Sequence, residues 1–233
     1  MTTITHDISP DLLQRTSDLM RRLQMESLTH IFPEEISKKS PAFFDFTASN
    51  ESVKGLVRQG GIHFQKYVDD TLDTQQTNWG IGKYMERRDG VLEGTHIASE
   101  ERFYHLGVDV AHPHGTPLLC PVEGEIYKTG YSPEWGDYGH FISTRHQLEG
   151  KTFYLFFGHL KEGSYLTSGM VSAGQQLGLL GDFQDNGQWF HHTHIQICMD
   201  TWDKSTPDGY CHERDQEYYR YLNPDPMIFV RNA

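Results

Sequence analysis

The amino-acid sequence predicts a mainly β fold, an antiparallel β-sandwich or barrel-like domain with a helical N-terminal attachment. Two observations carry that reading. From about residue 101 the chain breaks into strand-length apolar runs separated by Gly, Pro, Asn and Asp, and short strands with such turns favour antiparallel pairing. The first third shows helical periodicity and polar connections instead. The chain therefore divides into a helical region of unknown role at 1–95 and a β domain with a C-terminal tail at 96–233.

The elements follow in order. In SPDLLQRTSDLMRRLQMESLTHIF, Ser9 stands as a helix cap and Pro10 at the first helical position. Leu12, Leu19, Met20 and Leu23 then recur at helical spacing until Pro33 stops the run. EEISKKSPAFFDF and SNESVKGLVRQ read as a polar connection and a short helix, Gly60-Gly61 as a break, and TLDTQQTN as a further connection. This region is expected to complete the hydrophobic core, with a lid over part of a groove as the alternative. The strands are expected in FYHLGVDVA, PLLCPVEGEIYKTGY, GHFISTRH, TFYLFFGHL, QQLGLLG and HTHIQICMD. RDQEYYRYLNPDPMIFV closes the chain as a short helix and an extended tail.

Composition narrows the function. With 233 residues, 36% hydrophobic and 22% charged, the chain can bury a sizeable core. Its net charge is 20 − 32 = −12, which argues against general nucleic-acid binding and against attraction to anionic lipid. No run approaches the roughly 18 apolar residues of a membrane span, and the N-terminus shows no secretion signal. Cytoplasm is the default expectation, with leaderless export left open. Cys120, Cys198 and Cys211 are widely spaced and odd in number, so no disulfide framework is expected.

The chemistry concentrates in a few motifs. In WFHHTHIQI, residues 189–197, His192 and His194 share one strand face and His191 points to the other. In FYHLGVDVA, His105 and Asp109 lie four apart, an even spacing that places both on one face, and Val108 and Val110 favour the strand. Taken alone, that pair is as readily a structural hydrogen bond as a metal site. Imidazole and carboxylate groups from two strands are ligands that catalytic zinc favours, with one position left for water. His159 ends the apolar run LFFGHL. No HExxH occurs, so no helix-borne glutamate serves as base. His112 and His114 read as turn histidines. His146 is a candidate for lining a groove or a solvated strand end, and Trp189 a candidate groove wall; Phe190 and Cys198 read as core.

The ordered set HLGVD, GTPLLCPVEGEI, YGHFISTRH, FFGHL, SAGQQLGLLG and HTHIQI, over about residues 104–199, resembles the lysostaphin-like zinc metallopeptidases. That family carries HxxxD, a Gly-Thr-Pro turn before a strand, an aromatic/Gly-His-Leu element, V-x-x-G-x-x-(I/L)-G and a closing HxH. The resemblance implies Zn2+ held by His105, Asp109 and His194, with His159 and His192 as the catalytic pair. It also implies a groove over a β-rich core and hydrolysis of a short Gly- or Ala-rich peptide link, as in peptidoglycan cross-bridges. The chain departs at Thr193, where the family usually has Leu, and at Phe157, where Tyr is usual. The competing expectations are a catalytically inactive zinc-stabilised interaction or regulatory module, and a phosphocarrier-like scaffold with two facing histidines. The complete set of five side chains favours the enzyme.

Overall fold

A computed structural model describes residues 7–36 and 38–230. In chain order it contains α1 (Pro10–Leu23), β1 (Ala42–Phe43), α2 (Leu56–Gln59), α3 (Gly61–Thr74), β2 (Gly80–Gly82), α4 (His96–Ser99), β3 (Tyr104–His105) and β4 (Val108–Ala111). These are followed by β5 (Pro117–Leu119), β6 (Gly124–Ser132), β7 (Gly139–Leu148), β8 (Lys151–Leu160), β9 (Met170–Val171), β10 (Gln176–Leu179), β11 (His192–Cys198), β12 (Tyr210–Cys211) and α5 (Gln216–Leu222).

The fold is mainly β. Eight strands form one sheet in the order β1-β2-β4-β11-β8-β7-β6-β9, while β5–β10 and β3–β12 form two-stranded ribbons. Every pair is antiparallel except β1 with β2, where Ala42 meets Gly80 and Phe43 meets Ile81 in parallel. The ladder ends at β1 and β9, so the sheet is mixed and open and does not close into a barrel.

Alternation gives the central strands two different faces. Val108 and Val110 of β4, Phe153, Leu155 and Phe157 of β8, and Ile195 and Ile197 of β11 belong to one apolar cluster. The β5–β10 ribbon adds Leu118 and Leu177 to that cluster, and α1 adds Leu12, Leu19 and Leu23. As expected, Ser9 caps α1, its side chain accepting from the Leu12 N–H at 3.1 Å. Asp109, His192 and His194 occupy the intervening positions and face the other way.

The N-terminal third differs from expectation in two elements. Gly60, at φ +94°, separates α2 from α3 as the Gly60-Gly61 pair suggests, but α3 then covers half of the expected connection at 71–78. Strands β1 and β2 extend the main sheet. Phe44, Phe46, Phe64 and Val68 pack with Ala111, Trp189, Phe190 and Tyr210 in a second apolar cluster, so both clusters draw residues from either side of position 95. At the other end, the expected extended tail is a 3-10 turn over Pro226–Phe229.

Candidate active site

The centre of the site is one row of the sheet. Asp109 on β4 lies between Gly82 of β2 and His194 of β11, so Asp109 and His194 are direct cross-strand neighbours. His192 lies two positions along β11 on the same face. The expected single strand over FYHLGVDVA is interrupted: β3 ends at His105, β4 begins at Val108, and His105 pairs with Tyr210 in the β3–β12 ribbon. The break has a steric reason. A Cβ at Gly107 would collide with the His194 ring and the Ile195 carbonyl, so only glycine lets the chain pass β11 this closely. His105 and Asp109 still converge, but from different sheets.

His159 is aimed by a bulge. Between the pairs His140–Leu160 and Ile142–Phe157, the single Phe141 of β7 opposes Gly158 and His159 of β8, and such an extra residue re-aims its side chain. His159 accordingly adopts φ +66°, in the left-handed region that non-glycine residues occupy at a cost.

Three inner atoms form a nearly equilateral triangle. His105 Nε2 lies 3.0 Å from His194 Nδ1, which lies 3.1 Å from Asp109 Oδ1, and His105 Nε2 to Asp109 Oδ1 is 3.3 Å. The outer contacts fix where the protons are. His105 Nδ1–H donates to the Lys83 carbonyl at 3.1 Å, and His194 Nε2–H donates to Gln196 Oε1 at 3.0 Å. Gln196 is oriented by its own Nε2–H donating to the Asp208 carbonyl. Burial and then the Arg88 charge push the His105 pKa down to about 3, against the pull of Asp109. Burial opposes the Asp109 charge, but Arg88, with His105 and His192, holds that carboxyl well below the usual range. With those outer contacts made, the His105 Nε2 and His194 Nδ1 lone pairs and the Asp109 oxygen face one another. A cation resolves that repulsion, and tetrahedral zinc with bonds of about 2.0–2.1 Å has ligand–ligand edges of about 3.3–3.4 Å. The donor set fits such an ion.

The other two histidines adjoin this triangle. His159 Nδ1–H donates to the Asn186 carbonyl at 2.9 Å, and His192 Nδ1–H to the Phe190 carbonyl at 2.7 Å. Each ring therefore presents a bare Nε2, and the ring centroids are 4.2 Å apart. Burial, reinforced by His192, holds the His159 pKa well below the usual value; burial brings that of His192 down to about 4 despite Asp109. Both rings are neutral bases near pH 7. All five side chains line one cleft, whose rim includes Arg102, Asp137, Lys204 and Asp208.

Trp189 also lines this cleft while packing into the second apolar cluster. His146 is not brought to it. That ring is buried on β7, stacked on Phe153, with Nδ1 against the Glu123 carbonyl at 2.9 Å and Nε2 against Thr144 Oγ1 at 2.6 Å. His112 is buried rather than a turn residue, its ring parallel to Trp79 at 5.7 Å. Sequence reasoning missed Arg88, Tyr138 and Tyr210. Tyr138 and Tyr210 line the cleft, and Arg88 Nη1–H donates to Asp109 Oδ2 at 2.5 Å.

Residues 103–206 match the sequence profile of peptidase family M23. Over those residues the chain is similar to the metallopeptidase domain of that family. A Haemophilus influenzae protein described as an uncharacterized metalloprotease is 31% identical to the chain over 78 residues, which are 34% of this chain and 15% of the relative. The chain thus spans only a small part of that relative's length. Among solved structures, lysostaphin from Staphylococcus simulans, an antimicrobial peptidase, superposes with a TM-score of 0.40 at 21% identity, over 66% of this chain and 50% of that one. A zinc-containing peptidase from Vibrio cholerae gives 0.36 at 21% identity, over 46% and 31%. The M23 match ends short of Tyr210 and begins after Lys83 and Arg88, so three groups that touch the inner residues lie outside the matched span. No helix among the described residues is long and apolar enough to cross a membrane.

Proposed function

We propose that this chain is a zinc-dependent metalloendopeptidase that hydrolyses a short Gly- or Ala-rich peptide link of the peptidoglycan cross-bridge type. The carrying observation is the triangle of His105, Asp109 and His194 ring and carboxylate atoms, with edges of 3.0–3.3 Å. These three residues would hold the zinc ion, and His159 and His192 would serve as acid and base. Bound zinc supplies Lewis acidity, which acidifies water and polarises a carbonyl.

The protein's own groups do the rest. With Nδ1 tied to a backbone carbonyl, each of His159 and His192 keeps its Nε2 lone pair aimed into the cleft. One takes a proton from the attacking water as its oxygen bonds to the scissile carbonyl carbon. The C–N bond then breaks, and that proton passes to the leaving amine. Because both rings begin neutral, the acid is generated by the base step. Tyr138 and Trp189 flank the pair at ring distances of 5.9 and 6.0 Å from His159, which favours residues with little or no side chain beside the scissile bond.

The first test is metal content by mass spectrometry of the wild type beside His194→Ala, followed by turnover of Gly- and Ala-rich peptides and peptidoglycan fragments. About one zinc per chain, lost in the variant, together with cleavage, is the expected result. Zinc without cleavage of any such substrate would favour the zinc-stabilised interaction module; no zinc after loading would sink both readings.

A further inference from the structure

We propose that Arg88 is a positioning residue that restricts Asp109 to a single-oxygen ligand and thereby sets the metal affinity of the site. The proposal rests on the metal-site reading above. It starts from how the two oxygens of one carboxylate are used. Oδ1 of Asp109 faces the ligand cluster, 3.1 Å from His194 Nδ1 and 3.3 Å from His105 Nε2. Oδ2 is taken by Arg88 Nη1 at 2.5 Å. A carboxylate held in this way has one oxygen left for a cation.

Arg88 is itself held in place. It is 0% exposed, its Nε contacts Glu86 Oε2 at 3.3 Å, and its guanidinium carbon lies 4.9 Å from the centre of the Phe46 ring. The neighbouring strand has no side chain where the guanidinium lies: a Cβ at Gly82 would fall 2.6 Å from Arg88 Nη2. A buried arginine held between two carboxylates and an aromatic face loses little freedom in orienting its partner. Groups that orient metal ligands from behind typically change affinity about 10- to 100-fold when lost.

The experiment uses the full chain loaded with zinc or cobalt(II). X-ray absorption on the zinc-loaded wild type is expected to show a single Asp oxygen; a two-oxygen carboxylate overturns the proposal without recourse to any variant. Arg88→Met and Arg88→Lys are then compared by zinc competition with a chromophoric chelator and by the cobalt ligand-field spectrum. The expectation is zinc affinity about 10- to 100-fold weaker in Arg88→Met with an altered cobalt spectrum, and partial recovery in Arg88→Lys, which keeps the charge but not the fork. If Arg88→Met does not fold, Arg88→Lys and the wild-type absorption data decide. Folded variants with wild-type affinity and spectrum would reduce Arg88 to a structural ion pair while leaving the metal site standing. A wild type that takes up neither metal would instead overturn the site itself, and this proposal with it.

Discussion

His159 is held at φ +66° at the end of an otherwise regular strand, a conformation that costs on the order of 1–3 kcal/mol and persists where the surroundings enforce it. Its N–H donates to the Tyr138 carbonyl and its ring to Asn186. His159→Ala and His192→Ala should each lower kcat by about 10²- to 10⁴-fold, the usual range for a lost acid–base group, while metal content stays near that of the wild type. Loss of zinc in either variant would reassign that histidine as a ligand. Gly107→Ala should destabilise the protein by about 1–3 kcal/mol through overpacking against His194, read as a shifted urea midpoint. Histidines away from the centre contribute to the acid limit. Burial lowers the pKa of His146 to about 4, against the Glu123 hydrogen bond, and burial alone lowers that of His112 to about 4. The unfolded chain, with its histidines near 6.5, binds more protons below that pH. Stability is therefore full above about pH 6.5 and falls towards pH 4, by about 2 kcal/mol per histidine at pH 5. Urea melts at pH 7 and pH 5 should show this loss, and His146→Gln should reduce it. These residues also mark what a sequence conveys. His105, Asp109 and His194 stand out because their types and order are unusual together. Arg88 sits beside Arg87 in a run of charge, and nothing local distinguishes the fully buried arginine from its exposed neighbour.

The strands from β6 to β8 and β11 were legible because each is seven residues or longer, carries aliphatic or aromatic residues and is bounded by turn residues. Strands β1 and β2 were not: they are two and three residues long, and β2 is Gly-Ile-Gly, too short for alternation to register. The even spacing of His105 and Asp109 gave the right convergence by the wrong route, since one strand was expected and two elements deliver the pair. Helix α1 packs on the apolar face of the sheet, opposite the cleft, and no described residue before His96 lines that cleft. The helix thus acts as a core element and not as a cover. Leu19→Ala should cost about 2–5 kcal/mol as a cavity in that cluster, measured by urea unfolding, with kcat unchanged in the fraction that stays folded.

The division at residue 95 is a change of texture in the sequence, and the packing runs straight across it. A 96–233 fragment would lack β1 and β2, the Lys83 carbonyl that orients His105, Arg88, and Phe44, Phe46 and Phe64 of the second cluster. It is expected to aggregate or to lose near-ultraviolet dichroism, and to bind zinc weakly if kept in solution. A monodisperse fragment with the zinc affinity of the full chain would make the N-terminal region dispensable to the site.

The row Gly82–Asp109–His194 also has a consequence in time. Asp109 and His194 are 85 residues apart in the chain, and closing such a loop slows the pairing that unites them. During synthesis β11 emerges long after β4, so for most of that interval the nascent chain holds only two of the three donors, His105 and Asp109. If these residues hold the metal, as proposed, its capture would wait until the last central strand has docked.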